Sequence, residues 1–190
     1  MSTAAGTALK IAKSTVIRLA EASISETALE KLIADDPSML GLGDVVLIER
    51  QRAQQRAGRL DLLLEDGDAE TRFEVELMLG SLDESHLIRA IEYWDIERRH
   101  YPGYEHRAVI VAEDVTSRFL NVMQLFSGSI PIIAIQVNCI RVEDSIIVNF
   151  IKLIDSTVQR RDDIADVKSR ATDRKLLAFE SWLSGTADCR

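Results

Sequence analysis

Three acidic residues stand inside apolar runs in RLDLLLEDGDAETRFEVELMLG, residues 59–80: Asp61, Glu74 and Glu76. RLDLLLE and TRFEVELML read as two strands around a DGD turn. Side chains alternate along a strand, so Glu74 and Glu76 share one face while Phe73, Val75 and Leu77 share the other. If the two strands pair as a hairpin, Asp61 falls on the face of the glutamates. Two carboxylates ~5 Å apart repel by roughly 3 kcal/mol at an effective dielectric of ~20. Such a patch must protonate, recruit basic partners or bind a cation. Oxygen-only ligands favour a hard ion, Mg2+ or Mn2+, over zinc. Two readings stand side by side: a metal site, or the solvated face of a sheet neutralised by Arg59 or Arg89. Asp61 fits the solvated face least well, because it interrupts the run Leu60 to Leu64, where strand propensity disfavours it.

The elements that would position these acids can be read around them. SISETALEKLIADDP reads as a first helix, with Ser23 and Glu26 as a capping box, Leu29, Leu32 and Ile33 as its apolar face, and Asp36-Pro37 as its end. DVVLIERQ reads as a strand, followed by the two hairpin strands. SLDESHLIRAIEYWDIERRHYPG then gives a helix, with Ser81 and Glu84 as a second capping box and a core stripe of Leu87, Ile88, Ile91 and Trp94. HRAVIVAE is a buried strand of the kind covered on both faces. TSRFLNVMQLFSG is a short helix, and PIIAIQVNCIRV and DSIIVNFIKLI are two closing strands. The expected order is α-β-β-β-α-β-α-β-β, an α/β (α+β) fold with a central mixed sheet flanked by helices. Residues 1–22 are expected as an N-terminal extension and 23–155 as the domain. Residues 156–190 are expected as a helical tail, packed on the domain or a partner through Leu176, Leu177, Phe179, Trp182 and Leu183.

Composition frames these expectations. The chain has 190 residues, 46% hydrophobic and 28% charged, with a formal net charge of −8, as expected for one soluble domain with a sizeable core. No apolar stretch reaches the ~20 residues of a membrane helix, and the first twenty residues carry Lys10, Lys13 and Arg18 where a secretory signal would be apolar. Two cysteines, Cys139 and Cys189, form neither a disulfide framework nor a zinc spacing. A cytoplasmic protein is expected. The negative charge argues against broad wrapping of nucleic acid, yet leaves room for a local basic groove. Arg50, Arg52, Arg56 and Arg59 cluster in ERQRAQQRAGR, either as such a groove or as a solvated loop. His86 shares a helix face with Arg89 and Tyr93 and reads as a proton carrier or as a structural histidine. Tyr93 and Trp94 read as base-stacking groups or as core. His100 and His106 flank a turn and read as incidental.

The motif Gly-Arg-Leu-Asp (58–61), followed about a dozen residues later by Glu-Val-Glu (74–76), resembles the PD-(D/E)XK nuclease superfamily. So does the order of elements over residues 23–137. The resemblance implies a restriction-endonuclease-like fold and Mg2+- or Mn2+-dependent hydrolysis of nucleic-acid phosphodiester bonds, with DNA the favoured partner. It implies Asp61 and Glu74 as metal-binding acids. Glu76 stands where lysine is usual, and Arg89, four residues before Tyr93, stands where part of the superfamily has glutamine. The resemblance further implies Glu76 as a third ligand or a base, and Arg89 as the cation beside the scissile phosphate. Glu26 or Glu30 matches the acid that some members add from the first helix, although helix capping explains Glu26 equally well. The arginine cluster would position the nucleic-acid backbone. The alternative implied by Glu76 and Arg89 is a non-catalytic nuclease-like module that binds nucleic acid or a protein partner. A weaker third reading is a dimerising scaffold with Trp182 at its contact, and a homodimer is compatible with every reading.

Overall fold

Alternating apolar residues fold the middle of the chain into one sheet, and the computed structural model describes residues 12–54, 57–126 and 128–156. Its strands are β1 (Ser14–Ile17), β2 (Val46–Gln54), β3 (Gly58–Asp66), β4 (Thr71–Ser81), β5 (Glu105–Asp114), β6 (Ile132–Val142) and β7 (Ser145–Asp155). Helices α1 (Glu26–Asp35), α2 (Glu84–His100) and α3 (Ser117–Phe126) interrupt them, with 3-10 turns at Leu19–Ala22 and Pro37–Leu40. The lateral order is β1-β6-β5-β4-β3-β2, and β7 also pairs with β6. β4, β5 and β6 run parallel, while the β2-β3, β3-β4, β6-β7 and β1-β6 pairs are antiparallel. This is the central mixed sheet with flanking helices expected from the sequence, with one addition. Residues 14–17, inside the segment read as an extension, join the sheet.

The two larger cores lie on opposite faces of the sheet, as the alternation of side chains requires, and Leu60 and Leu63 form a third, small cluster with Tyr93. On the α1 face, Leu29 and Ile33 pack with Leu62, Leu64, Phe73, Val75, Val109, Val111, Ile133 and Val137. On the other face, Leu87, Ala90 and Trp94 of α2 and Phe119 and Met123 of α3 pack with Ala108, Ile110, Ala112, Ile132 and Ala134. Ala108 to Ala112 are therefore fully buried, in keeping with a strand covered on both faces. Ile88 departs from the expected stripe and is 63% exposed, because α2 turns the next residue, Arg89, toward β4.

Neither expected capping box forms, and each helix is capped two residues later by a single side-chain acceptor. Ser25, not Ser23, caps α1 by accepting from the Ala28 N–H at 3.2 Å, and Ser23 is left-handed (φ 59) at the end of the preceding turn. Asp83, not Ser81, caps α2 through the His86 N–H at 2.9 Å. A short side-chain acceptor on extended backbone does the capping in each case, and the sequence offered more than one such residue. No helix among the described residues is long and apolar enough to cross a membrane. Residues 157–190, with Trp182 and its apolar neighbours, and Arg56 lie outside the described residues.

Candidate functional site

The hairpin of β3 and β4 decides which acids meet. Leu62 stands opposite Val75 and Leu63 opposite Glu74, and the same register carries Asp61 to Glu76. The backbone ladder ends at Leu62 and Val75. Beyond it the Asp61 carboxylate takes the place of a backbone carbonyl, its Oδ2 accepting from the Leu77 N–H at 2.8 Å. Asp61 and Glu76 are 7% and 1% exposed, so two carboxylates face each other away from bulk water. Across β2 the row continues: Arg50 stands opposite Leu62 and Arg52 opposite Leu60, which sets Gln51 against Asp61. The Gln51 amide donates to Asp61 Oδ1 at 3.0 Å and to Glu30 Oε2 on α1 at 2.9 Å. Arg50 Nε in turn reaches Glu30 Oε1 at 2.9 Å.

Glu76 is the least satisfied member of the row. Arg89 Nη2 from α2 lies 2.8 Å from its Oε1, an ion-pair contact that misses hydrogen-bonding alignment, so both Glu76 oxygens remain without an aligned donor. Burial, reinforced by the neighbouring Asp61 charge, pushes the Glu76 carboxyl up to about 8 against the pull of Arg89. Burial also raises Asp61, opposed by the Leu77 N–H and the Gln51 amide. Glu26, exposed on the first turn of α1, adds its charge to both. Arg89 is held from its other side, because its Nε donates to the Tyr93 hydroxyl at 3.2 Å. That hydroxyl donates to the Ala57 carbonyl at 3.0 Å. Tyr93 is fully buried, so it is core rather than a stacking surface, and it anchors the cation.

Glu74 points elsewhere. It is 0% exposed, and its Oε1 lies 2.7 Å from His106 Nδ1. His106 Nε2 donates to the Tyr101 carbonyl at 2.9 Å, since a carbonyl only accepts. One proton therefore lies in the gap between Nδ1 and Glu74. Burial lifts Glu74 to about 7 despite this bond. For His106, burial alone would lower the pKa, and the bonds to Glu74 and Tyr101 more than reverse it. Beside the pair, buried Glu97 accepts from Arg52 Nε at 2.9 Å and Gln54 Nε2 at 2.6 Å. His106, read from the sequence as incidental, is thus a buried partner of a strand acid, and the turn it flanks conceals this.

The structure therefore brings together Asp61, Glu76 and Arg89, with Glu30 one link away through Gln51. It draws Glu74 into a separate hydrogen bond with His106. His86 belongs to the α2 cap, its Nδ1 lying 2.8 Å from Asp83 Oδ1. Of the arginine cluster, Arg50 and Arg52 are committed to Glu30 and Glu97, while Arg59 is exposed. Gln51 is the site residue that sequence reasoning missed, and its only signal was a position between two of the arginines. Among the described residues no three His, Cys, Asp or Glu side chains form a ready-made metal cage.

No protein-family model matches the chain, and no curated protein does. Partial likeness to solved structures is found. An EndoMS–dsDNA complex is 24% identical at a TM-score of 0.47, over 53% of this chain and 41% of that one. A repair endonuclease from Pyrococcus abyssi is 24% identical at a TM-score of 0.47, over 53% and 43%. Pyrococcus furiosus SfsA in complex with Ca2+ is 17% identical at a TM-score of 0.38, over 64% and 60%. The chain spans less than half the length of the first two.

Proposed function

We propose that this protein is a divalent-metal-dependent nuclease acting on DNA, with Asp61 and Glu76 as the metal-holding pair. The observation that carries the reading is the cross-strand juxtaposition of these two buried carboxylates, with both Glu76 oxygens lacking an aligned donor. The donor set fits a hard ion. Mg2+ takes one or two carboxylates and completes its shell with water and substrate phosphate, so a ready-made cage is not required. When bound, such an ion supplies Lewis acidity toward a phosphate and lowers the pKa of a water. The chain's own residues do the rest. Asp61, fixed by Leu77 and Gln51, and Glu76 hold the charge in a dry corner of the sheet. Arg89, anchored by Tyr93, would balance charge on the phosphorus oxygens. In this reading Glu76, rather than Glu74, is the acid of the E-x-K motif. Met78 then stands at the lysine position, packed against the α2–α3 core, and Arg89 is the cation that remains.

A second reading, a non-catalytic nuclease-like module that binds nucleic acid or a protein, is favoured by one observation: Arg89 already sits on Glu76. Calorimetric titration with Mn2+, alone and with duplex DNA, followed by Mg2+-dependent cleavage of plasmid DNA, separates the two. The nuclease reading expects binding that Asp61→Asn and Glu76→Gln abolish and Glu74→Gln retains, with cleavage following the same pattern. Silence in both titrations from a folded protein would end it. Under the second reading Arg89→Met gains Mn2+ binding and still cleaves nothing.

A further inference from the structure

We propose that Gln51 is a positioning residue for Asp61, the middle link of a chain Arg50–Glu30–Gln51–Asp61 that fixes how the carboxylate presents itself. The inference rests on the metal reading above. Three observations carry it. Gln51 has φ 51 within β2, a left-handed backbone that non-glycine residues rarely adopt and that concentrates at functional sites. One nitrogen, Nε2, meets two carboxylates from two other elements, Glu30 at 2.9 Å and Asp61 at 3.0 Å, so the amide is oriented by acceptors on both sides. Glu30 is itself buried and held on its other oxygen by Arg50.

The chemistry of the link is specific. A free carboxamide can flip and present its oxygen, which would repel a carboxylate. Glu30 holds the NH2 end toward Asp61, and Arg50 holds Glu30. With Oδ2 fixed by the Leu77 N–H and Oδ1 by Gln51, the Asp61 carboxylate has one orientation, its remaining lone pairs available to a cation. Partners behind a metal ligand of this kind set its affinity as well as its geometry.

The test is a double-mutant cycle on Mn2+ affinity, measured by titration with the full chain, with circular dichroism and melting temperature recorded for each variant. Gln51→Ala is expected to weaken Mn2+ binding by about tenfold or more. Glu30→Ala is expected to weaken it by a smaller factor in the wild-type background and not at all in the Gln51→Ala background, because its effect passes through the amide. A merely structural role would not erase the second effect. If Gln51→Ala does not fold, Gln51→Met keeps the volume without the donor and replaces it in the cycle. Binding by Gln51→Ala within twofold of wild type, or additive effects in the cycle, overturns the proposal and leaves the Asp61–Glu76 site standing. Absence of Mn2+ binding by the wild type, with and without duplex DNA, removes the site itself and the proposal with it.

Discussion

At the scale of residues, the acids of this sheet are held in states that their types do not announce. Glu76 is displaced from the ordinary glutamate value of 4.5 to about 8. A carboxyl raised in the folded state binds more protons there than in the unfolded chain, so stability is full at low pH and falls as pH rises between the two values. Each unit of displacement corresponds to about 1.4 kcal/mol. Glu76→Gln removes this loss, and denaturant melts at pH 9 without metal should find the variant more stable than wild type by as much as roughly 5 kcal/mol. At pH 5 the two should be close. A wild type equally stable at both pH values would refute a raised carboxyl at Glu76. Glu74, raised to about 7, adds to the same slope, so Glu76→Gln flattens the pH dependence without abolishing it.

At the scale of elements, a close approach between β3 and α2 holds the site's cation in place. Gly58 has φ 102, and a Cβ there would lie 3.0 Å from the Tyr93 hydroxyl. That hydroxyl is the anchor of Arg89. Gly58→Ala should destabilise the fold by about 1–3 kcal/mol through strained backbone and a displaced Tyr93, measurable as a lowered denaturation midpoint. A midpoint unchanged from wild type would mean that this approach is looser than described. The elements themselves were legible because period-2 and period-3.6 patterns alternate along the chain, and β5, buried on both faces, showed its near-continuous apolar run. Strand β1 was not legible, since STVI is short and its residues are largely exposed. The Asp61–Glu76 pairing followed from alternation once the hairpin formed. Glu74's departure did not, because His106 comes from a strand that only the parallel β4–β5 register brings alongside. Gln51 was hidden for a similar reason: nothing in a glutamine's type signals a left-handed backbone.

At the scale of the whole molecule, the net charge is −8, so under the nuclease reading the described arginines near the Asp61–Glu76 row are the local cations for a phosphate backbone. Several of these are already paired internally, Arg50 with Glu30, Arg52 with Glu97 and Arg72 with Glu65. Among the described residues beside that row, Arg59 and, under the nuclease reading, a released Arg89 are the cations left for phosphate. Under the nuclease reading, the affinity for duplex DNA should fall with log salt at a slope of about −2, far shallower than the slope near −10 of an extensively contacting repressor. Filter binding or anisotropy across 50–200 mM salt would measure it, and a slope steeper than about −5 would demand a basic surface beyond these residues.

Strand β6 has a consequence for the order in which the chain can finish its sheet. One edge of β6 is taken by β7, and the other is divided between β5, along Ile132–Gln136, and β1, along Cys139–Val142. Ser14 pairs with Val142, so among the described strands the first to leave a ribosome waits for the sixth. Until then the second half of that edge is an open row of backbone donors and acceptors, a template for a neighbouring chain. The four residues Ser14–Ile17 thus close a sheet edge against self-association late in folding.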